Sequence, residues 1–205
     1  MTDRMFSFIG GSDGPWRVER VLAVKGESLA KPVRVRIDSG LTPDSSANAI
    51  WTLRGVTSNQ RYTTSKENKS LAAVQPALNR PEATCAALIP IRKTAEWWAL
   101  SQDERRLIFE EQSKHIEIGM RYLPAIARKL HHSRDLGEPF DFLTWFEFAP
   151  THAAEFDELL HALRTSPEWK FVDREVDVRP VRVGASSFIP SHDREGVSLN
   201  SALLF

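Results

Sequence analysis

Short β-type runs that alternate with amphipathic helices are the feature that most restricts the fold of this 205-residue chain. Runs rich in apolar and β-branched residues, typical of strands, occupy residues 5–9, 16–24, 49–53, 85–91, 140–148 and 170–179. A helix predicted over residues 151–164 carries Phe156, Leu159, Leu160 and Leu163 on one face. Strands and one-sided helices that alternate in this way bury their apolar faces against each other. The sequence therefore predicts an α+β, ferredoxin-like fold.

Two capping-box patterns mark helix starts within this alternation. Thr64-x-x-Glu67 predicts a short helix leading to Gln75, and Ser101-x-x-Glu104 predicts the start of a long one. The stretch 32–48 is rich in Ser, Pro and Asp and is predicted to be a surface loop. Pro180 is predicted to interrupt the last strand, and the aperiodic residues 184–205 to form a mobile tail.

Composition excludes several classes of protein. A hydrophobic content of 41% can build a sizeable core, and a formal net charge of zero gives no overall field for nucleic acid or an anionic membrane. Cys85 is the only cysteine, so no internal disulfide is expected and a reducing compartment is favoured. No apolar run reaches 18 residues, and the first ten residues are too short for a signal peptide. We therefore expect a cytoplasmic protein.

His115 and Arg128 are polar residues at positions that the sequence pattern predicts to be at least partly buried. At 100° per residue from His115, four apolar residues fall within roughly 60°, namely Ile108, Ile118, Tyr122 and Ile126. This predicts His115 in the middle of the apolar stripe of the long helix. Pro124 should break that helix near Leu123, so a second short helix over 125–132 can bring Arg128 to the same site. A core histidine and a hydrated basic surface helix are the alternatives.

The order of the motifs in this part of the chain resembles that of the chlorite dismutase family, in particular its short-chain, dimeric branch. The resemblance rests on Trp97-Trp98-Ala-Leu-Ser, His115, Tyr122-Leu-Pro-Ala-Ile-Ala-Arg128-Lys, Phe140-Asp-Phe-Leu-Thr-Trp-Phe-Glu147 and Glu168-Trp-Lys-Phe-Val. Gly55-Val-Thr-Ser-Asn59, Arg61-Tyr62, Gln75-Pro and Ile89-Pro-Ile-Arg-Lys93-Thr extend it toward the N-terminus.

The resemblance implies a dimeric α/β barrel fold built from two ferredoxin-like parts. Residues 1–96 would form a truncated N-terminal part, residues 97–183 the haem-binding C-terminal part, and residues 184–205 the tail. The implied protein is a homodimer with haem b as cofactor and chlorite as substrate, and neither nucleic acid nor membrane as partner. Its implied reaction converts chlorite to chloride and dioxygen through a ferryl intermediate and a retained hypochlorite.

The same resemblance implies roles for seven residues. His115 matches the proximal ligand of the haem iron, and Glu168 matches the carboxylate that accepts a hydrogen bond from the imidazole. Arg128 and Gln75 match the catalytic pair on the distal side, where the glutamine holds the arginine. Residues around the haem edge and its propionates are matched by Tyr62, Lys93 and Trp97.

Three alternative functions can be weighed against this one. A coproheme decarboxylase would need a tyrosine in the segment 89–93, which begins with Ile89, and a glutamine in place of Arg128. A haem-binding sensor would not need a charged residue at position 128. A non-haem metal site would draw on Glu111, His115 and the His131-His132 pair, because Glu111 and His115 are one helical turn apart.

Overall fold

Eight antiparallel strands close into a barrel in the computed structural model, which describes residues 4–40, 48–57 and 62–184. The strands are β1 (Met5–Gly11), β2 (Trp16–Lys25), β3 (Arg34–Ser39), β4 (Ala49–Val56), β5 (Cys85–Lys93), β6 (Ala127–His132), β7 (Phe142–Phe148) and β8 (Val172–Arg182). Their order around the barrel is β1-β3-β2-β8-β5-β7-β6-β4, and β4 pairs back to β1. The predicted α+β class and barrel fold are confirmed.

The junction between β4 and β6 is the weakest in the barrel wall. These strands share a single register pair, Val56 with His132, whereas β6 and β7 pair along their whole length. Among the described residues, which leave out 58–61 after β4, the outer backbone groups of the first half of β6 have no strand partner. Other parts of the chain must satisfy them.

Alternating side chains give the barrel wall two buried faces. On β5, Leu88 points into the interior cluster with Phe8 and Trp145, while Ala87 and Ile89 belong to a second cluster outside the barrel. Helix α5 (Ala153–Arg164) covers that outer cluster with the four residues that the periodicity predicts. A strand buried on both faces reads as a nearly continuous apolar run, which explains the sequence of β5.

Four further α-helices connect the strands: α1 (Ser65–Val74), α2 (Ala95–Ala99), α3 (Gln102–Arg106) and α4 (His115–Met120). Thr64 and Ser101 each form the predicted capping box, with Glu67 and Glu104 respectively. Within the described ranges, no helix is long and apolar enough to cross a membrane.

Two predictions about the strands are wrong. The predicted loop 32–48 contains β3, whose Val35 and Ile37 pack against the barrel interior, although residues 41–47 lie outside the described part. Pro180 does not end β8, which continues to Arg182. Pro180 faces Val18 beside a register shift in β2, and an irregular position of this kind tolerates a residue without an N–H.

The long helix predicted from Ser101 is also wrong, because the chain divides it into three segments. After α3, residues Leu107–Gln112 form a π-helix, and Lys114 then adopts a left-handed conformation with φ of 54°. Wider π turns change the angular phase, so a stripe counted at 100° per residue does not continue through them. His115 is therefore the first residue of α4 and does not lie in the middle of a helix.

The short helix predicted over residues 125–132 is in fact strand β6. The break before it is confirmed, since α4 ends at Met120 and turns lead past Pro124. Pairing with β7 overrides local helix propensity here, because β7 would otherwise be an open edge. The change from period 3.6 to period 2 puts Leu130 outside the barrel and His131 inside, against Phe6 and Phe8.

The division into parts at residues 96 and 97 stays a prediction. Strands from both sides of that boundary hydrogen-bond in one barrel, for example β5 with β7 and β8. Arg61, residues 58–60 and the predicted tail beyond Gly184 lie outside the described residues.

Candidate functional site

A cavity of about 310 Å³ lies on the outer face of the barrel, between the β5-β7-β6 wall and the helices that cover it. The strands contribute mainly apolar side chains: Ile89, Ile91, Leu130, Thr144 and Phe146. Phe109, His115, Ile116, Leu160 and Leu163 line it from the helical side. His115 and Arg128 are both among the residues that line this cavity, so the structure brings the two predicted residues into one site.

His115 is placed by the start of α4. The left-handed Lys114 turns the chain so that a new helix begins with His115. No cap side chain on residue 114 satisfies the first N–H groups, but the buried carboxylate of Glu110 accepts a hydrogen bond from the Ile116 N–H at 2.7 Å. A carboxylate at this end of a helix also complements the helix dipole. Glu110 therefore fixes the orientation of the helix that carries His115.

The imidazole of His115 belongs to a chain of three charged or polar groups. Its Nδ1 lies 2.7 Å from Oε2 of Glu168, and the other oxygen of Glu168 accepts a 2.7 Å hydrogen bond from Nζ of Lys93. Glu168 and Lys93 are almost completely buried, whereas His115 keeps 21% of its side chain exposed. The Glu168 N–H donates to Oγ of Ser113 at 2.8 Å, which fixes the acid from its backbone side.

The electrostatics of this chain favour an ionised Glu168. Burial alone raises the pKa of a carboxyl group, but the charge interactions and hydrogen bonds of Glu168 with His115 and Lys93 outweigh it here. The pKa of Glu168 consequently falls to about 2. An acceptor that stays ionised fixes the imidazole with Nδ1 protonated and leaves Nε2 as the ligand nitrogen. Among the described residues, no group hydrogen-bonds to Nε2.

Aromatic rings pack against the face of the imidazole and behind it. The ring of Phe109 stacks on His115 with centroids 4.3 Å apart, and Tyr62 packs against Phe109 at 5.6 Å. Tyr62 also meets Trp97 edge-on at 6.0 Å, and Nζ of Lys93 lies 4.6 Å from the centre of the Trp97 ring. Tyr62, Lys93 and Trp97 are thus brought together near His115 and Phe109, but none of the three is among the residues that line the cavity.

Arg128 enters the cavity from β6. Nε2 of Gln75 donates a 2.8 Å hydrogen bond to the Arg128 main-chain carbonyl oxygen, on the edge of β6 that has no strand partner within the described ranges. The structure therefore brings Gln75 to Arg128 through the backbone of the arginine. Among the described residues, no acceptor or carboxylate pairs with the Arg128 guanidinium, and burial lowers its pKa from the ordinary value.

Three residues of the site were missed by sequence reasoning: Phe109, Glu110 and Ser113. They lie in or next to the π-helical segment, where helical periodicity does not apply. A buried glutamate five residues before a histidine carries no recognised motif, so no sequence signal identifies Glu110. Phe109 is detectable only once the break at Lys114 is known.

The alternative non-haem metal site finds no support in the described residues, which contain no group of three or more possible His, Cys, Asp or Glu ligands. His131 lies inside the barrel with Nδ1 3.2 Å from the Leu143 carbonyl oxygen, on the other face of the wall from His115. At the segment where a decarboxylase needs a tyrosine, the buried Ile89 lines the cavity.

The donor set fits a haem group better than a bare metal ion. One imidazole with a carboxylate on its second nitrogen, set in a mostly apolar cavity, is a donor set that can hold a haem iron. His115 would hold the iron and Glu168 would orient the ring.

Comparisons with known proteins point to one family. The model of the chlorite dismutase family matches residues 39–184. A dimeric chlorite dismutase from Nitrobacter winogradskyi has a similar structure, with 52% sequence identity, a TM-score of 0.81, and coverage of 86% of this chain and 99% of that one. A chlorite dismutase from Candidatus Nitrospira defluvii, solved with imidazole, shares the fold at 19% identity, with a TM-score of 0.63 over 89% of this chain and 92% of that chain.

A curated chlorite dismutase from Ideonella dechloratans is 36% identical over 104 residues, which is 51% of this chain. The match spans 34% of that relative, so the chain covers about a third of its length.

Proposed function

Because this chain belongs to the chlorite dismutase family, we propose that it is a haem b-dependent enzyme that decomposes chlorite to chloride and dioxygen. One observation carries the proposal. A cavity brings together an imidazole that already has its carboxylate partner and a guanidinium that has none in the part of the chain that the structure describes. The first is suited to hold iron, and the second is suited to meet an anion.

The His115 side of the cavity would bind the cofactor. Bound haem supplies the redox chemistry by which Cl–O bonds are broken and an O–O bond is formed. Glu168 would keep Nδ1 of His115 protonated, which makes Nε2 a more electron-donating ligand, and Lys93 would neutralise the buried acid. Tyr62 and Trp97 would lie at the cofactor edge.

The Arg128 side would handle the substrate. Chlorite is a small anion, and a half-buried guanidinium that no described residue pairs with attracts it and keeps its charge at any accessible pH. Arg128 would then hold hypochlorite in the cavity long enough for the O–O bond to form, which is a proximity effect. Gln75 would support this role by fixing the backbone of β6 at Arg128.

The remaining features of the proposal concern assembly and location. The Nitrobacter winogradskyi relative is described as dimeric, and we extend a homodimer to this chain on that likeness. A cytoplasmic location follows from the single Cys85 and stays a prediction.

Spectroscopy combined with an oxygen electrode tests the proposal. The purified chain, reconstituted with haem b, should give the visible spectrum of a histidine-ligated ferric haem and release dioxygen when chlorite is added. Haem binding without dioxygen release would reduce the protein to a haem-binding module such as a sensor. Failure to bind haem would overturn the proposal as a whole.

A further inference from the structure

Gly119 is a buried glycine in α4, one turn after His115. Its backbone is ordinary helix and lies outside the left-handed region, so the conformation itself does not call for glycine. Glycine inside a helix is less stable than alanine, because it loses more backbone freedom on folding. The missing side chain therefore needs an explanation from the surroundings of α4.

The space that a side chain would fill is taken by Arg128. A Cβ atom built on Gly119 would lie 2.7 Å from Nη1, 3.3 Å from Cζ and 3.4 Å from Nη2 of Arg128. All three nearest atoms belong to the guanidinium. The first distance is shorter than van der Waals contact allows, so a side chain at position 119 would force the guanidinium, the far end of a flexible side chain, to move.

The Arg128 side chain thus extends from the barrel wall at β6 to α4, the helix that also carries the proposed iron ligand. Residues 115 and 119 are four apart, which is about 6 Å along a helix axis. Arg128 is then held at two ends, by Gln75 at its carbonyl oxygen and by the recess at Gly119 around its guanidinium.

We propose that Gly119 is a positioning residue for Arg128. The recess left by its missing side chain holds the guanidinium against α4, at the place where a small anion in the cavity meets it. The identity of that anion rests on the proposed function, but the position of the guanidinium does not.

The first experiment uses the full chain without cofactor, labelled with ¹⁵N-arginine, so that it does not depend on haem. The Arg128 Nε–H resonance is assigned by its loss in Arg128→Lys and then compared between the wild type and Gly119→Ala. A changed resonance in the folded variant is expected, because a methyl group displaces the guanidinium. An unchanged resonance would overturn the proposal.

The same substitution in an Arg128→Ala background is the matched control. If Gly119→Ala prevents folding only when Arg128 is present, the two residues compete for one space, as proposed. Loss of folding in both backgrounds would show that the glycine serves something else and would overturn the assignment.

The second experiment titrates the haem-loaded protein with nitrite, a bent two-oxygen anion like chlorite. Gly119→Ala should weaken nitrite binding about tenfold with Arg128 present and less than about twofold in the Arg128→Ala background. An equal loss in both backgrounds, no loss, or tighter binding would contradict the proposal. A chain that binds no haem would refute the proposed function while leaving the resonance experiment decisive for Gly119.

Discussion

The two polar centres of the cavity differ in how their charges are balanced. On the His115 side, the imidazole, Glu168 and Lys93 are joined by two 2.7 Å contacts, and the positive and negative groups compensate each other. At the other centre, the Arg128 guanidinium packs against Gly119 of α4 and has no acceptor or carboxylate among the described residues. Within the described ranges, the charges of the first centre are balanced and the charge of the second is not.

This difference indicates which centre is built for a ligand anion. A compensated ion pair has little left to gain from another charge, whereas a half-buried cation that no described residue pairs with is attracted more strongly to an incoming anion. Keeping such a cation costs folding free energy, which the rest of the barrel offsets. We therefore expect substitutions on the two sides to separate cofactor retention from anion handling.

Removal of the imidazole should have the largest effect. His115→Ala deletes the only nitrogen that we propose for the iron, so haem affinity should fall by more than the roughly 100-fold seen when an outer partner is lost. The visible spectrum after gel filtration measures retained haem, and circular dichroism checks that the barrel is folded. Full retention with an unaltered spectrum would remove His115 as the ligand.

Substitution of the arginine should spare the cofactor and impair turnover. Arg128→Ala should retain haem but lose roughly 10²- to 10³-fold in the rate of dioxygen release, the usual cost of removing one preorganised charge donor. Escaped hypochlorite should also bleach the haem after fewer turnovers. Total dioxygen per haem, with and without methionine as scavenger, is the measurement.

Arg128→Lys is the control that keeps the positive charge but removes the planar guanidinium with its fixed N–H donors. Wild-type dioxygen yield and survival in Arg128→Ala would mean that the unpaired cation has no part in the reaction.

Neutralising the buried acid should produce an intermediate effect on the His115 side alone. Glu168→Gln weakens electron donation by the imidazole, so haem retention should fall about 10- to 100-fold and the ferric/ferrous reduction potential should rise. Redox titration measures the latter. The variant also leaves Lys93 buried and unpaired, so Glu168→Gln with Lys93→Met separates that cost from the change in ligand strength.

Glu147→Gln is a matched control, since Glu147 is equally buried but hydrogen-bonds to Trp145 and Asn79, away from His115. A potential that shifts as much in Glu147→Gln as in Glu168→Gln would contradict the assignment of Glu168.

The two capping boxes should give the smallest effects and sharpen the comparison. Thr64→Ala and Ser101→Ala each remove a helix cap and should each lower the free energy of unfolding by about 1 kcal/mol in urea titrations. Thr64 caps the start of α1, and Gln75, which caps its end, donates a hydrogen bond to the Arg128 carbonyl oxygen. Thr64→Ala should therefore lower the dioxygen yield per haem, whereas Ser101→Ala should not. Equal yields in the two variants would show that α1 does not support Arg128.

Local rules predicted the parts of the site that depend on neighbouring residues. The caps at Thr64 and Ser101, the apolar face of α5 and the break at Pro124 were all recognisable, because each is decided within a few residues. The family resemblance added the role assignments, which stay predictions. The placement of His115 in mid-helix failed because six π-helical residues and the left-handed Lys114 intervene.

By itself, the sequence determined the α+β class, most of the strands and the pairing of a histidine and an arginine as the residues of interest. Only the tertiary structure decided that residues 127–132 form a strand. Hydrogen bonding to the edge of β7 stabilises this basic segment more than its own helix propensity does. The tertiary structure also decided that Arg128 rests against Gly119, with no counter-charge among the described residues. The contact of His115 with Glu168, 53 positions away, was implied by the family resemblance and not by any local pattern. Such contacts join residues distant in sequence, so closure of the barrel, and no local preference, brings them together.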